Sequence, residues 1–267
     1  MMESQERTKV WFIVALCLLV LIGGYFFAEW LIGGEEPFRG AAPEQPPVEL
    51  LAPVAQPDLK QFEDVAQYTE TKPLPSEPDP LVFLTDVESD EHIRGDRDTE
   101  IVVVQYAALS SLYTQLMYPK LVQFQEKNKN RMHWVFRHYP GTDNQNDYRA
   151  AQATECITQQ LGNDGFWAYM DALMSPKNIG SLLPMSVLLD TAKQVGADSA
   201  QLQSCIEQEQ LYDYVLQDKV NAQTDSSIYV APSFMLQNSQ TYKRRIVEGI
   251  NTIEYMQAVL DDMQQYP

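Results

Sequence analysis

The fold is decided by "VVVQYAALSSLYTQLMYPKLVQF", residues 102–124. Val102, Val103 and Val104 belong to a mostly apolar run, "IVVVQYA" (101–107), of the kind expected for a buried central strand. A polar turn at Ser110 and Ser111 follows. From there Leu112, Leu116, Met117, Leu121, Val122 and Phe124 recur at helical spacing. Ser110 or Ser111 is expected to cap this helix, and Pro119, inside it, to kink it.

Outward from this core, "PLVFLTD" (80–86) reads as an earlier strand and "HIRGDRDTE" (92–100) as a turn-rich connection. "MHWVFRHYP" (132–140) reads as the next strand. Helical periodicity then takes over in residues 145–162, 164–175, 184–196 and 198–224, punctuated by Gly162, Pro184 and Gly196. Two strands follow, "APSFMLQN" (231–238) and "YKRRIVEG" (242–249). A last helix begins near Asn251, with Asn251 or Thr252 as N-cap. The order is β-β-α-β, a helical block over about 144–224, then β-β-α. It defines an α/β domain over residues 81–267.

The N-terminal third has a different composition. Val10 to Ala28 carries no charge, and its 19 residues would span about 28 Å as a helix, close to the thickness of a bilayer core. Trp11, Tyr25 and Trp30 sit towards its ends, where amphipathic aromatics prefer the interface. Residues 10–32 therefore read as an uncleaved transmembrane signal anchor after a cytoplasmic tail of residues 1–9. Arg7 and Lys9 precede the span and the single Arg39 follows it, so the basic-residue rule puts the N-terminus inside. The rest of the chain then faces outward from a bacterial inner membrane, into the periplasm. Ten of the 16 prolines lie between Pro37 and Pro80, so residues 33–80 read as an extended linker.

Formal net charge is −18, which argues against a nucleic-acid partner, since phosphate binding needs a basic surplus. Lys243-Arg244-Arg245 is the one basic cluster and reads as the solvated end of a strand. No group of Cys and His has metal-ligand spacing, and no metal or cofactor is expected.

The domain resembles the DsbA-like thiol–disulfide oxidoreductases, which have a thioredoxin fold with a helical insertion. Four ordered landmarks carry the resemblance: "QYAALSSLYTQLMYP" (105–119), "RHYP" (137–140), "SIYVAPSFML" (227–236) and the lead-in "EHIRGDRD" (91–98). Aligned without gaps between Tyr106 and Pro119, the family's two active-site cysteines fall on Ser111 and Thr114, and its cis-proline falls on Pro232.

The resemblance thus implies a degenerate site. Disulfide exchange needs an attacking thiolate and a second thiol to resolve the mixed disulfide. An unactivated serine hydroxyl supplies neither. What the family fold retains is a groove for extended peptide, lined here by Leu112, Tyr113, Ala231 and Pro232. The expected role is a membrane-anchored, non-redox module of the cell envelope, chaperone-like or scaffolding, that binds protein or extended peptide, with a membrane complex as a candidate partner.

Two enzyme readings stand beside it. Kappa-class glutathione transferases resemble the same fold and carry serine at the Ser111 position; "SLYT" (111–114) is similar to their "SPYS". Cys156 and Cys205 offer the second, a relocated thiol centre. Some family members carry cysteines in similar contexts, so the resemblance implies a structural disulfide, contributing roughly 3–4 kcal/mol by loop entropy. Two buried free thiols are the remaining alternative.

Overall fold

The computed structural model describes residues 72–76, Leu84, Val87 and 91–264. The expected anchor at 10–32, most of the linker and nearly all of the strand expected at 80–86 lie outside the described residues. Among the described residues, no helix is long and apolar enough to cross a membrane.

Five strands form one sheet. They are β1 (His92–Arg94), β2 (Ile101–Ala107), β3 (Met132–His138), β4 (Ser233–Asn238) and β5 (Arg244–Glu248), in the order β1-β3-β2-β4-β5. β2 and β3 are parallel, and every other pair is antiparallel. Parallel neighbours need a crossover, which α1 (Leu112–Lys127) supplies. β2 is buried along its whole length. Its Ile101, Val103 and Ala107 enter the larger core with α1 and the C-terminal helix α6 (Ile253–Gln264). Its Val102, Val104 and Tyr106 enter a smaller core on the opposite face.

Between β3 and β4 stand α2 (Gln145–Leu173), α3 (Met185–Gln194), α4 (Ser199–Glu207) and α5 (Tyr212–Thr224). Two expected helices run together as α2, interrupted at Gly162, whose φ of 70° only glycine adopts readily. The single helix expected over 198–224 is instead two. The chain breaks at Gln208–Leu211, where Glu209 takes a φ of 50°. β1 corrects the turn-rich reading of 92–100. His92, Ile93 and Arg94 pair with Phe136, Val135 and Trp134 at the sheet edge. The end of the linker is held as well: Tyr255 Oη donates to the Pro73 carbonyl at 2.9 Å. Thr252, not Asn251, caps α6, its hydroxyl accepting from the Tyr255 amide.

Polar groups fasten the helical block to the sheet. His92 of β1 and His138 of β3 both direct Nε2 at the buried Glu155 carboxylate of α2, each at 2.8 Å. A carboxylate only accepts, so both imidazoles donate. Burial alone would raise the Glu155 pKa. Hydrogen bonds from His138 and His92 more than offset it and hold the pKa at about 2. Half-buried Asp218 of α5 accepts from the His138 amide at 2.8 Å, and burial pushes its pKa up to about 6. The expected link also forms: Cys156 of α2 is bonded to Cys205 of α4, Cα atoms 6.2 Å apart.

Two predictions follow from these fastenings. A depressed carboxylate pKa adds stability that is fully present above the unfolded value near 4.5 and is lost as pH falls towards 2. The raised Asp218 has the opposite sign and acts above pH 3.8. Between pH 3.8 and 2, thermal unfolding should therefore show a larger acid-driven loss than in Glu155→Gln, where only other depressed carboxylates such as Asp261 contribute; that variant is already roughly 2–4 kcal/mol less stable at pH 7. Replacing Cys156 and Cys205 together with serine should lower denaturant stability by about 3–4 kcal/mol while leaving the far-UV spectrum native.

Candidate functional site

β2 ends at Ala107, and α1 starts at Leu112. Between them the chain turns tightly, the Ser111 amide donating to the Ala108 carbonyl at 3.2 Å. Ser111 is the N-cap residue by backbone geometry, with extended φ and ψ, but its side chain makes no capping bond. Ser110 does not cap the helix either. Its hydroxyl donates to Asp147 of α2, whose second carboxylate oxygen accepts from the Gly141 amide and from Asn144 Nδ2, both at 2.9 Å. Both expected serine caps are therefore absent. Buried Asp147 draws Ser110 out of capping position and fixes the turn to the start of α2.

Thr114, the second position aligned with cysteine, faces the core and is fully buried. Its Oγ1 has no partner among the described residues. Gln115, beside it, binds outward in the fold. Its amide donates to the Leu109 and Ser181 carbonyls and accepts from the Gly180 amide at 2.7 Å. The loop before α3 is thereby tied to the first turn of α1.

The Ala231–Pro232 peptide is cis. Antiparallel pairing of β2 with β4 sets Tyr106 opposite Ser233, so the cis-proline loop comes to the same sheet end as the turn into α1. Pro232 is buried and Ala231 half-buried. Leu112 is half-buried, while Tyr113 is 45% exposed. Sequence reasoning missed two residues here: Tyr229 and Val230, just before the cis peptide, are 64% and 48% exposed. Leu182, in the loop tied to Gln115, is exposed too. Four large apolar or aromatic groups thus stand in solvent on the segments that meet at this sheet end. Alternation along "SIYVAP" gave no sign of it, because the segment is a loop with no period.

None of the three histidines serves Ser111. His92 and His138 are committed to Glu155, and His133, on the opposite face of β3, contacts Thr99 Oγ1 through Nδ1 at 2.9 Å. Among the described residues the Ser111 hydroxyl has neither base nor acceptor, so the arrangement cannot activate it as a nucleophile. The Cys156–Cys205 sulfurs belong to buried residues of the helical block, which limits any attacking thiolate's access. No group of His, Cys, Asp and Glu among the described residues could hold a metal ion.

A family model described as Thioredoxin matches residues 88–262. Among solved structures, DsbA2 of Pseudomonas aeruginosa is 22% identical, with a TM-score of 0.58, over 68% of this chain and 98% of its own. Oxidised BdbD of Bacillus subtilis is 14% identical, TM-score 0.56, over 71% and 97%. The α-DsbA1 of Wolbachia pipientis is 19% identical, TM-score 0.54, over 68% and 93%. A protein named Na(+)/H(+) antiporter NhaA, of Nitrosospira multiformis, is 28% identical over 153 residues, 57% of this chain. The chain spans only 23% of that relative's length. With the strand order, the crossover helix, the helical insertion and the cis-proline all in place, the chain has a DsbA-like fold, and the family-model match shows that it belongs to the thioredoxin family.

Proposed function

We propose that this chain is a membrane-anchored envelope module that binds extended polypeptide at the α1–cis-proline site without exchanging disulfides. One observation supports the reading: hydroxyls stand at the two positions that the family resemblance aligns with cysteine, while large apolar and aromatic groups are exposed on the segments beside the cis-proline. Residues 111 and 114 are Ser and Thr, yet Tyr113, Tyr229 and Val230 stand exposed around the cis Ala231–Pro232 peptide.

The chemistry is one-sided. A hydroxyl at the N-terminus of α1 gains from the helix dipole only as an anion, and serine's pKa lies far above any physiological pH. An extended peptide needs no sulfur. Backbone groups of the cis-proline loop offer hydrogen bonds, and the exposed aromatics offer area at low entropic cost. The expected anchor at residues 10–32 would hold the module at a bacterial inner membrane, facing the periplasm. Similarity to part of a protein named as an antiporter is in keeping with a membrane-complex partner.

A second reading rests on the Ser111 hydroxyl, half-buried and without a hydrogen-bond partner among the described residues. Such a hydroxyl suits donation to the thiolate of glutathione.

Insulin-reduction and dithiol-oxidation assays on the purified chain are expected to stay at background, and catalytic turnover in either would refute the proposal. A labelled extended peptide rich in apolar residues should bind, and Tyr113→Ala with Val230→Asp should weaken it about tenfold. Glutathione conjugation abolished by Ser111→Ala would instead favour the second reading. Restoring sulfur gives the converse test: Ser111→Cys with Thr114→Cys should create measurable dithiol oxidation, because the helix N-terminus then stabilises a thiolate.

A further inference from the structure

The two edges of the sheet are treated differently. At β1, Ile93 turns its N–H and C=O outward, and the Asn163 side chain takes up both, each at 2.9 Å. A side-chain amide in that position closes the edge against a further strand. β5 forms the other edge.

The outward groups of β5 follow from its pairing. The Asn238 amide donates to the Lys243 carbonyl at 3.0 Å, and the Gly249 amide to the Pro232 carbonyl at 2.8 Å. Positions 243 and 249 therefore direct backbone groups at β4. Direction alternates along an antiparallel strand, so Arg245 and Val247 do the same, and Arg244, Ile246 and Glu248 turn theirs outward. The Arg244 carbonyl accepts from Arg245 Nη1 and the Glu248 carbonyl from Asn251 Nδ2, which leaves each a second lone pair. The Ile246 amide and carbonyl have no partner among the described residues.

Edge strands commonly carry charge that repels a further strand. Little of the charge on β5 is placed to do so. Lys243 and Arg245 turn to Asp262 of α6. Arg244 and Glu248 remain, of opposite sign and without an ion pair among the described residues. They share one side of the sheet with Ile246, which packs against the smaller core.

The strand reads Arg-Arg-Ile-Val-Glu and is complementary to itself when reversed. In an antiparallel pair centred on Ile246, that residue meets its own copy, and Arg244 of each strand meets Glu248 of the other. Every outward position then falls opposite an outward position, the register in which ladder bonds form. Two opposite-charge pairs flank an apolar centre.

We propose that β5 is a two-fold interface at which a second copy of this chain pairs its own β5, joining two five-stranded sheets into one. Charge complementarity argues the occupant, because a second copy supplies Glu248 and Arg244 at the matching spacing by symmetry. The interface is short. The anchor proposed at residues 10–32 would confine copies to one membrane and raise their effective concentration. The inference is independent of the peptide-binding reading.

Crosslinking and charge exchange test it on the full chain in mild detergent. Cys17→Ser first removes the one cysteine outside the Cys156–Cys205 bridge. In that background Ile246→Cys should form a disulfide-linked dimer on oxidation, since directly paired residues bring Cα atoms within about 5.5 Å. Tyr242→Cys, at a position 71% exposed, should not, because the same register sets it roughly 25 Å from its own copy. By analytical ultracentrifugation, Arg244→Glu and Glu248→Arg should each weaken dimerisation about tenfold with the melting temperature unchanged. Combining both in one chain should restore it, and so should mixing the two single variants. The charge variants stand alone as a test where Ile246→Cys disturbs the smaller core. Dimers that ignore the charge exchange, or that crosslink equally from position 242, overturn the proposal, because another surface then joins the copies. A chain that stays monomeric throughout overturns it as well.

Discussion

Everything at the functional end depends on the two-sided pairing of β2. Its parallel register with β3 sets Ala107 beside His138, and its antiparallel register with β4 sets Tyr106 beside Ser233. One strand end therefore carries the turn into α1, the return of β3 towards the helical block, and the exit from the cis-proline loop. The register is strongly fixed because β2 is buried on both faces. A one-residue slip would exchange Val103 with Val104 across the sheet and drive Gln105 and Tyr106 into the wrong cores.

Within that frame, Ser111 and Thr114 occupy the two positions that the family resemblance aligns with cysteine, and the architecture around them is complete. Thr114 sits fully buried, and its hydroxyl has no partner among the described residues. That is a cost tolerated rather than a new interaction made. Ser111 is half-buried at the helix start and caps nothing. Among the described residues neither hydroxyl joins a hydrogen-bond network, while the turn around them is tightly held by Asp147 and Gln115. The surroundings hold the turn into α1 in one conformation.

How much of this was legible in the sequence follows from which signals are periodic. β2, β3, β4 and the helical block could be read because burial imposes a period of two or 3.6 on the residues. β1 could not be, since three residues containing His92 and Arg94 show no period; its place is set by pairing with β3 and by His92 stacking on Phe166, ring centroids 3.7 Å apart. The break at Glu209 carries neither Gly nor Pro, so no punctuation marked it. The cysteine pairing and cis-proline were accessible only through family resemblance. The contacts of Glu155 with two histidines were not accessible at all, because they join β1, β3 and α2 across 63 and 17 positions.

α2 holds this end of the domain together from three directions. Asp147 reaches the turn before α1, Glu155 reaches β1 and β3, and Cys156 reaches α4. Tyr148, Arg149 and Gln152, between those anchors, line a concavity of about 960 Å³ beside the start of α2. A helix fixed at both ends of such a face cannot tilt to relieve the unpartnered Gln152 amide or the strain at Asp143. Those costs persist because the anchors on either side over-determine the backbone between them. A free helix would repack until its amide was satisfied. One pinned by a buried carboxylate that two histidines share, a disulfide and a second buried carboxylate keeps its backbone in place and leaves the buried Gln152 oxygen unpaired among the described residues.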